Sequence, residues 1–540
     1  MKSKLKFLLI FLSLYLVMIS IILANPLNSS ADEQAQTIKT VAAARLQFKG
    51  LRTDARKFSA TGVPVYFFKL PPYYESISPS YKMLLCELGY KNQSVCHQPE
   101  MGGHYLGYSA SYVGSYQPIY NFIVGIPSLF TTGDISLYLM ECLSALICCL
   151  MLSLCIFIEL VFNNKKILSV GILFVFTPMV LYYGAQINPS GLEISSAFVS
   201  WAAALKIFSD GRYLFDPKNA NHPKDGSKLG FLVKSYWIST IILISCRPDS
   251  FVIAIAILTA VVVSRRSKNI SLKTMIRVLK SKLSYVALFI TLFNAEWIRL
   301  NPYLISNKFR GVKQFFYADS ATILNKILHI QLDRIAFYGQ YFNGINYLTT
   351  KFPEIYFLIY LFAVLLFVVA GLFVSSKSQR TVIILILLSI FLTPVIFDFI
   401  TYSRLYIAFQ NRYLLPFLFG IFLLIGENFD STMKYPSKIK TYLLDFINSK
   451  TYLIAVTSIM LIGSFETYYY DWKFQIYGLV KIGTKLKEMV TWVPPDGKFG
   501  SLAFEYLAIT IFFGLIAYLV LEKPLDLYET KSQDQELQML

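Results

Sequence analysis

The chain has 540 residues, 55% of them hydrophobic and 15% charged, with a formal net charge of +18. A soluble domain carries about a quarter charged residues, so this composition excludes a soluble globular protein and implies a chain embedded in a lipid bilayer. The basic residues are dispersed between apolar spans with no long run, which excludes nucleic acid as the expected partner and favours cytoplasmic loops beside anionic headgroups.

Lys2, Lys4 and Lys6 precede an apolar run from Phe7 to Ala24. The apolar core of a cleaved signal peptide is about 7–15 residues long, and this run is longer. It reads as an uncleaved first membrane span. Asp32 and Glu33 follow directly, two adjacent carboxylates close to the membrane boundary. The stretch from Gln36 to Leu46, with Val41-Ala42-Ala43-Ala44, is helix-prone and suited to lie on the membrane surface and fix both carboxylates. Cys86 and Cys96 share the same polar segment, and an extracytoplasmic position would allow a local disulfide. The other five cysteines (Cys142, Cys148, Cys149, Cys155, Cys246) lie in or beside apolar spans and read as small core residues.

About a dozen membrane helices are expected, at 7–24, 136–161, 167–185, 189–208, 231–246, 250–264, 283–299, 354–375, 381–400, 413–426, 451–466 and 503–521. The apolar stretch 118–131 is short, contains two prolines, and reads as an interfacial or re-entrant helix. The fold class is therefore an all-α polytopic membrane protein, one unit over 1–540. Lys165-Lys166, seven basic residues with no acid from Arg265 to Lys282, Lys377 with Arg380, and Lys434 to Lys440 all fall on one side with the N-terminal lysines. That side is cytoplasmic by the positive-inside rule, and both termini lie there. The loops 25–117, 300–353 and 467–502 then form an extracytoplasmic cap. The 37 Tyr and 44 Phe suit membrane interfaces, with sugar-binding clefts a second use.

Polar residues at the outer ends of spans are the functional candidates. They are Asp32 and Glu33, Asn188 ahead of Pro189-Ser190-Gly191-Leu192-Glu193, Arg247-Pro248-Asp249, Arg404, and Gln410-Asn411-Arg412-Tyr413. Each has a plainer reading: a solvated carboxylate, a helix cap at Asn188, an Arg247–Asp249 pair, an interfacial anchor at Arg412. Together they supply carboxylates, arginines and an Asn-Pro turn on one face, the inventory for a phosphate-linked substrate at a membrane surface. Glu141 and Glu296 are acids within spans and the residues to follow if the chain is a transporter.

The motifs also carry a resemblance. Asp32-Glu33 with the Ala-rich helix ending Ala44-Arg45, Gln117-Pro118-Ile119-Tyr120, Thr177-Pro178-Met179, Asn188 to Glu193, Arg247-Pro248 and Gln410 to Pro416 run in the order of a bacterial multispanning family catalogued as domain of unknown function 2142, across about residues 30–420. Gln36 stands where that family often has His, and Asn411 where Gly is common. The family in turn looks like the GT-C superfamily of integral-membrane glycosyltransferases, which use polyprenyl-phosphate sugars. Their catalytic carboxylate follows the first helix, the place of Asp32. The resemblance implies an inverting sugar transfer to an envelope glycan or lipid-linked acceptor on the outer face of a bacterial plasma membrane. Asp32 would be the general base. Glu33 would orient the acceptor or, with Asp32, hold a divalent cation if one takes part. Asn188, Arg247, Arg404, Arg412 and Tyr413 would hold phosphate or sugar. The alternatives are a transporter or flippase for a lipid-linked glycan and a non-catalytic partner in polysaccharide assembly.

Overall fold

The structure is a computed structural model, and it describes residues 3–30, 32–52, 66–75, 108–162, 171–208, 225–265, 276, 278–301, 354–401, 411–428, 438–447, 449–482, 485–490, 494–495, 497 and 500–521. The chain is mostly helical. Among the described residues, eight helices are long and apolar enough to cross a membrane: Lys4–Ala24, Asp134–Val161, Leu229–Cys246, Lys282–Leu300, Ile355–Val374, Lys377–Pro394, Lys450–Lys473 and Gly500–Leu521. Large apolar side chains such as Tyr285, Phe289 and Phe362 stand exposed on these helices, as a lipid-facing surface requires.

Eight of the dozen expected spans correspond to these helices, and the four others are shorter or more polar in their described parts. In the described part of the stretch 167–185, helical residues 171–173 give way to a turn before the helix Pro178–Ala185. The Thr177 hydroxyl caps that helix from the amide of Val180 at 3.4 Å, and Pro178 occupies its first position, so the segment starts a new helix midway. Ser250–Ser264 and Arg412–Gly426 are apolar but short. The helix over Pro189–Ile207 is long but lies inside the bundle with every residue buried, and therefore carries Ser, Glu and Lys that a lipid-facing helix would not. It packs against the helices Asp134–Val161, Asp225–Cys246, Ser250–Ser264 and Leu415–Asn428. The Trp201 indole donates to the carbonyl of Pro416 at 2.9 Å, and the hydroxyls of Ser200 and Ser239 meet at 2.9 Å.

Seven elements position the site: α1 (Ser3–Ala24), α2 (Glu33–Ala44), the strands β1 (Leu51–Arg52), β2 (Tyr66–Lys69) and β3 (Tyr108–Ser111), α3 (Pro72–Glu75) and α4 (Pro118–Gly125). The three strands form an antiparallel sheet in the order β1-β2-β3, with Leu51 opposite Phe67 and Tyr66 opposite Ser111. A second hairpin pairs Tyr477–Ile482 with Lys485–Val490. These short strands, rich in β-branched and aromatic residues at Tyr66–Lys69 and Tyr477–Ile482, add two small sheets to the expected all-α class. The helix expected to end at 466 continues to Ile476 before that hairpin.

The helix α2 is not a surface helix, because all twelve of its residues are buried. It is held by side chains that reach neighbouring backbone. The Lys39 ammonium donates to the carbonyls of Phe48 at 2.5 Å and Gly114 at 2.8 Å, and it lies over the rings of Phe68 and Trp297. The Ser111 hydroxyl donates to the carbonyl of Ala35 at 2.7 Å. The stretch 118–131 forms α4 and a 3-10 turn over Ile126–Leu129, too short to span, as its prolines suggest.

Candidate functional site

The connection from α1 to α2 is built by short polar side chains. Asn25 Nδ2 donates to the carbonyl of Ile21 at 2.9 Å and closes α1. Asn28 and Asp32 take left-handed backbone angles, with φ of 59° and 67°. Asn and Asp tolerate this region better than most side chains, at a cost of about 1–2 kcal/mol. The Thr37 hydroxyl donates to Asn28 Oδ1 at 2.7 Å and holds the turn. Glu33 reaches back to accept from the Ser30 amide at 3.1 Å. Asp32 caps nothing with its side chain, and the left-handed turn directs it into the site instead.

There the Tyr112 hydroxyl donates to Asp32 Oδ1 at 2.5 Å, and Arg412 Nη2 pairs with Asp32 Oδ2. Burial pushes the Asp32 carboxyl up, but the Arg412 charge and the Tyr112 hydroxyl pull it down by more, leaving it below the ordinary carboxylate value. Asp32 is therefore ionised at neutral pH. The Arg412 guanidinium is buried and lies 4.8 Å from the Tyr183 ring centre and 5.4 Å from that of Tyr413. Among the described residues, its Nε and Nη1 have no hydrogen-bond partner.

Arg247 joins from the break between Cys246 and Ser250. Its guanidinium lies 4.3 Å from the Tyr413 ring centre and 6.0 Å from that of Tyr116. It pairs with Glu193 at 3.5 Å and Asp249 at 3.7 Å, so the expected Arg247–Asp249 pair exists and a second, buried acid shares it. Glu193 is held in turn by the Ser250 hydroxyl at 2.6 Å. Two guanidinia thus stack against the Tyr413 ring beside an ionised carboxylate. Cation–π contact in a desolvated setting is worth about 2 kcal/mol, which helps two like charges stand together.

The adjacent carboxylate goes elsewhere. Glu33 is fully buried and accepts from the Ile187 amide at 3.0 Å as well as from Ser30. With the nitrogen of the Gln186 amide assigned to the side facing it, Gln186 donates to both Glu33 oxygens at 2.6 and 2.8 Å. Burial pushes the Glu33 carboxyl up and the two backbone amides only partly offset it. The Glu141 carboxyl lies close beside it. Glu33 therefore ties α2 to the turn before Pro189, apart from the Asp32–Arg412 pair. Asn188 has the plainer of its two readings: its Oδ1 accepts from the Ser190 amide at 3.0 Å and caps the helix. Glu296 is exposed and paired with Arg299 at 2.5 Å.

Arg404, Cys86 and Cys96 lie outside the described residues. Of the other expected residues, Asp32, Arg247, Arg412 and Tyr413 are brought together, while Glu33 and Asn188 shape the scaffold behind them. The two adjacent carboxylates do not fit a shared divalent cation, because Asp32 is held by a guanidinium and Glu33 faces the interior. No group of three or more His, Cys, Asp or Glu is placed to hold one among the described residues.

Sequence reasoning missed Tyr112, Tyr116 and Tyr183, whose aromatic character it assigned to membrane interfaces. The signal available was position: Tyr116 abuts Gln117-Pro118, and Tyr183 abuts the turn before Asn188. Gln36 on α2 and Gln117 just before α4 are also buried, with side-chain amide atoms that have no hydrogen-bond partner among the described residues.

No curated protein and no solved structure matches the chain. Residues 14–421 match the family described as predicted membrane protein (DUF2142), a span from α1 to the helix that follows Arg412 and Tyr413, and the chain belongs to that family.

Proposed function

We propose that this protein is a glycosyltransferase on the outer face of a bacterial plasma membrane, moving a sugar from a polyprenyl-phosphate donor to an envelope glycan or lipid-linked acceptor. One observation carries the reading. An ionised, half-buried Asp32 pairs with the buried Arg412 guanidinium, the buried Arg247 guanidinium stands on the same Tyr413 ring, and among the described residues Arg412 Nε and Nη1 have no hydrogen-bond partner. A carboxylate beside an anion-binding pair is the equipment for proton abstraction next to a departing phosphate.

In this reading the acceptor hydroxyl gives its proton to Asp32 as its oxygen bonds the anomeric carbon. The bond from that carbon to the phosphate oxygen breaks with inversion. The leaving polyprenyl phosphate takes the electron pair, and Arg412 and Arg247 neutralise the charge it gathers. The donor phosphate also competes with Asp32 for Arg412. Loosening that pair raises the basicity of Asp32 in the loaded site, the direction a base requires. We read the fold as GT-C-like, with the four short or buried helices added to the eight long ones to make about twelve, and an outer cap containing the sheet.

Purified protein given polyprenyl-phosphate sugars and a glycan acceptor should transfer sugar, and Asp32→Asn should not. Undiminished transfer by the variant would exclude Asp32 as the base. A transport reading draws on the buried Glu33–Glu141 contact, and flux of lipid-linked glycan in proteoliposomes without any sugar transfer would favour it.

A further inference from the structure

Gln36 and Gln117 stand at one end of a helix pair in matching register. The helices α2 and α4 run side by side: the Thr40 hydroxyl donates to Asn121 Oδ1 at 2.8 Å. Gly125 lies so close to α2 that a Cβ there would come within 2.3 Å of the Thr40 carbonyl oxygen. One turn before Thr40 is Gln36, and one turn before Asn121 is Gln117, whose carbonyl accepts from Asn121 Nδ2 at 3.1 Å. The two glutamines therefore sit next to each other at the N-terminal ends of both helices.

That end is the site. The Gln36 backbone N–H donates to the backbone carbonyl of Asp32 at 3.0 Å, one turn back. Tyr116, next to Gln117, faces Arg247. Gln117 is fully buried, and neither its Oε1 nor its Nε2 has a hydrogen-bond partner among the described residues. Gln36 is 3% exposed and its Oε1 has none. Buried polar atoms are nearly always satisfied, so three unsatisfied amide atoms in one place call for a ligand that satisfies them. The amides are neutral and offer both acceptors and a donor. Vicinal hydroxyls of a sugar ring offer the complement, whereas a phosphate offers acceptors and charge that suit Arg247 and Arg412 instead.

We infer that Gln36 and Gln117 form a hydroxyl-binding subsite for the neutral ring of the substrate, at the end of the α2–α4 pair that carries Asp32. The inference rests on the polyprenyl-phosphate-sugar reading and adds to it which residues recognise the sugar. The hydroxyls of the ring accept from Gln117 Nε2 and donate to the two Oε1 atoms, so a ring lacking them leaves the amides unpaired.

Full-length protein in phosphatidylcholine nanodiscs, free of sugar-headed detergent, tests it. The probes are undecaprenyl phosphate and the same lipid carrying glucose, mannose, galactose or N-acetylglucosamine. The expected result is that at least one glycosylated lipid binds on the order of tenfold tighter than the bare lipid, the scale of one or two hydrogen bonds. Gln36→Met and Gln117→Met should lose that gain, keep affinity for the bare lipid, and melt no lower than wild type when ligand-free. Retention of the sugar gain by both variants overturns the subsite and leaves the phosphate reading intact. So does a wild type that binds the bare lipid with no gain from any sugar. A lower ligand-free melting temperature for both variants overturns it too, because the amides would then be satisfied within the chain. Binding of neither lipid class by wild type removes the phosphate reading and the subsite with it.

Discussion

At Asp32, backbone and side chain do separate work. The left-handed turn ends the connection from α1, and the carboxylate it frees meets Arg412 and Tyr112. Asp32→Asn keeps the shape and removes the base, so turnover should fall about 10²–10⁴-fold, while donor affinity should hold or tighten because Arg412 loses its competing carboxylate. Arg412→Gln should show the opposite split, weakening donor binding by on the order of tenfold or more, because a phosphate loses its charged partner. Steady-state kinetics with a labelled donor reads both. Asp32, Arg247 and Arg412 were legible as candidates because both charge signs recur at the ends of several spans expected on one face. Glu33 was not separable from Asp32 by sequence: adjacent residues at a helix start leave in different directions, and only the fold shows that one faces Arg412 and the other Ile187.

The helix α2 is the element on which the site depends. Its packing on α4 needs Gly125, where a methyl group would strike the Thr40 carbonyl and the Ala44 side chain. Gly125→Ala should lower stability by about 1–3 kcal/mol and reduce activity with it, since α2 carries Asp32 at its start. Thermal unfolding of the solubilised protein measures this. The same helix contains a buried lysine with two backbone carbonyls as partners, and burial lowers the Lys39 ammonium from 10.5 to about 7. Between those two values the unfolded chain binds the extra proton, so this residue makes stability rise as pH rises from about 7 towards 10.5, by up to about 1.4 kcal/mol per pH unit. Melting temperatures of wild type across that range should climb more steeply than those of Lys39→Met. Helix propensity made α2 visible in the sequence. Its burial was not visible, because Glu, Gln, Thr and Lys read as surface residues until the sheet and α4 close over them.

For the whole molecule, we propose from the charge asymmetry between loops that both termini lie on the cytoplasmic side and the Asp32 cluster on the other. A fluorescent protein fused to the C-terminus should therefore fluoresce, a periplasmic phosphatase fused there should be inactive, and an active phosphatase fusion would reverse the orientation. The sequence by itself determined that this is a membrane protein, where most of its long apolar helices lie, and that carboxylates and arginines collect at span ends. Those conclusions need only local hydropathy and the cost of charge in lipid, both properties of short segments. The tertiary structure decided which of these residues meet. Asp32 and Arg412 are far apart in the chain and form one ion pair, Arg247 reaches the same tyrosine as Arg412, and a polar helix over Pro189–Ile207 becomes the centre of the bundle. Such long-range contacts depend on how helices pack around one another, which residue spacing along a single span does not contain.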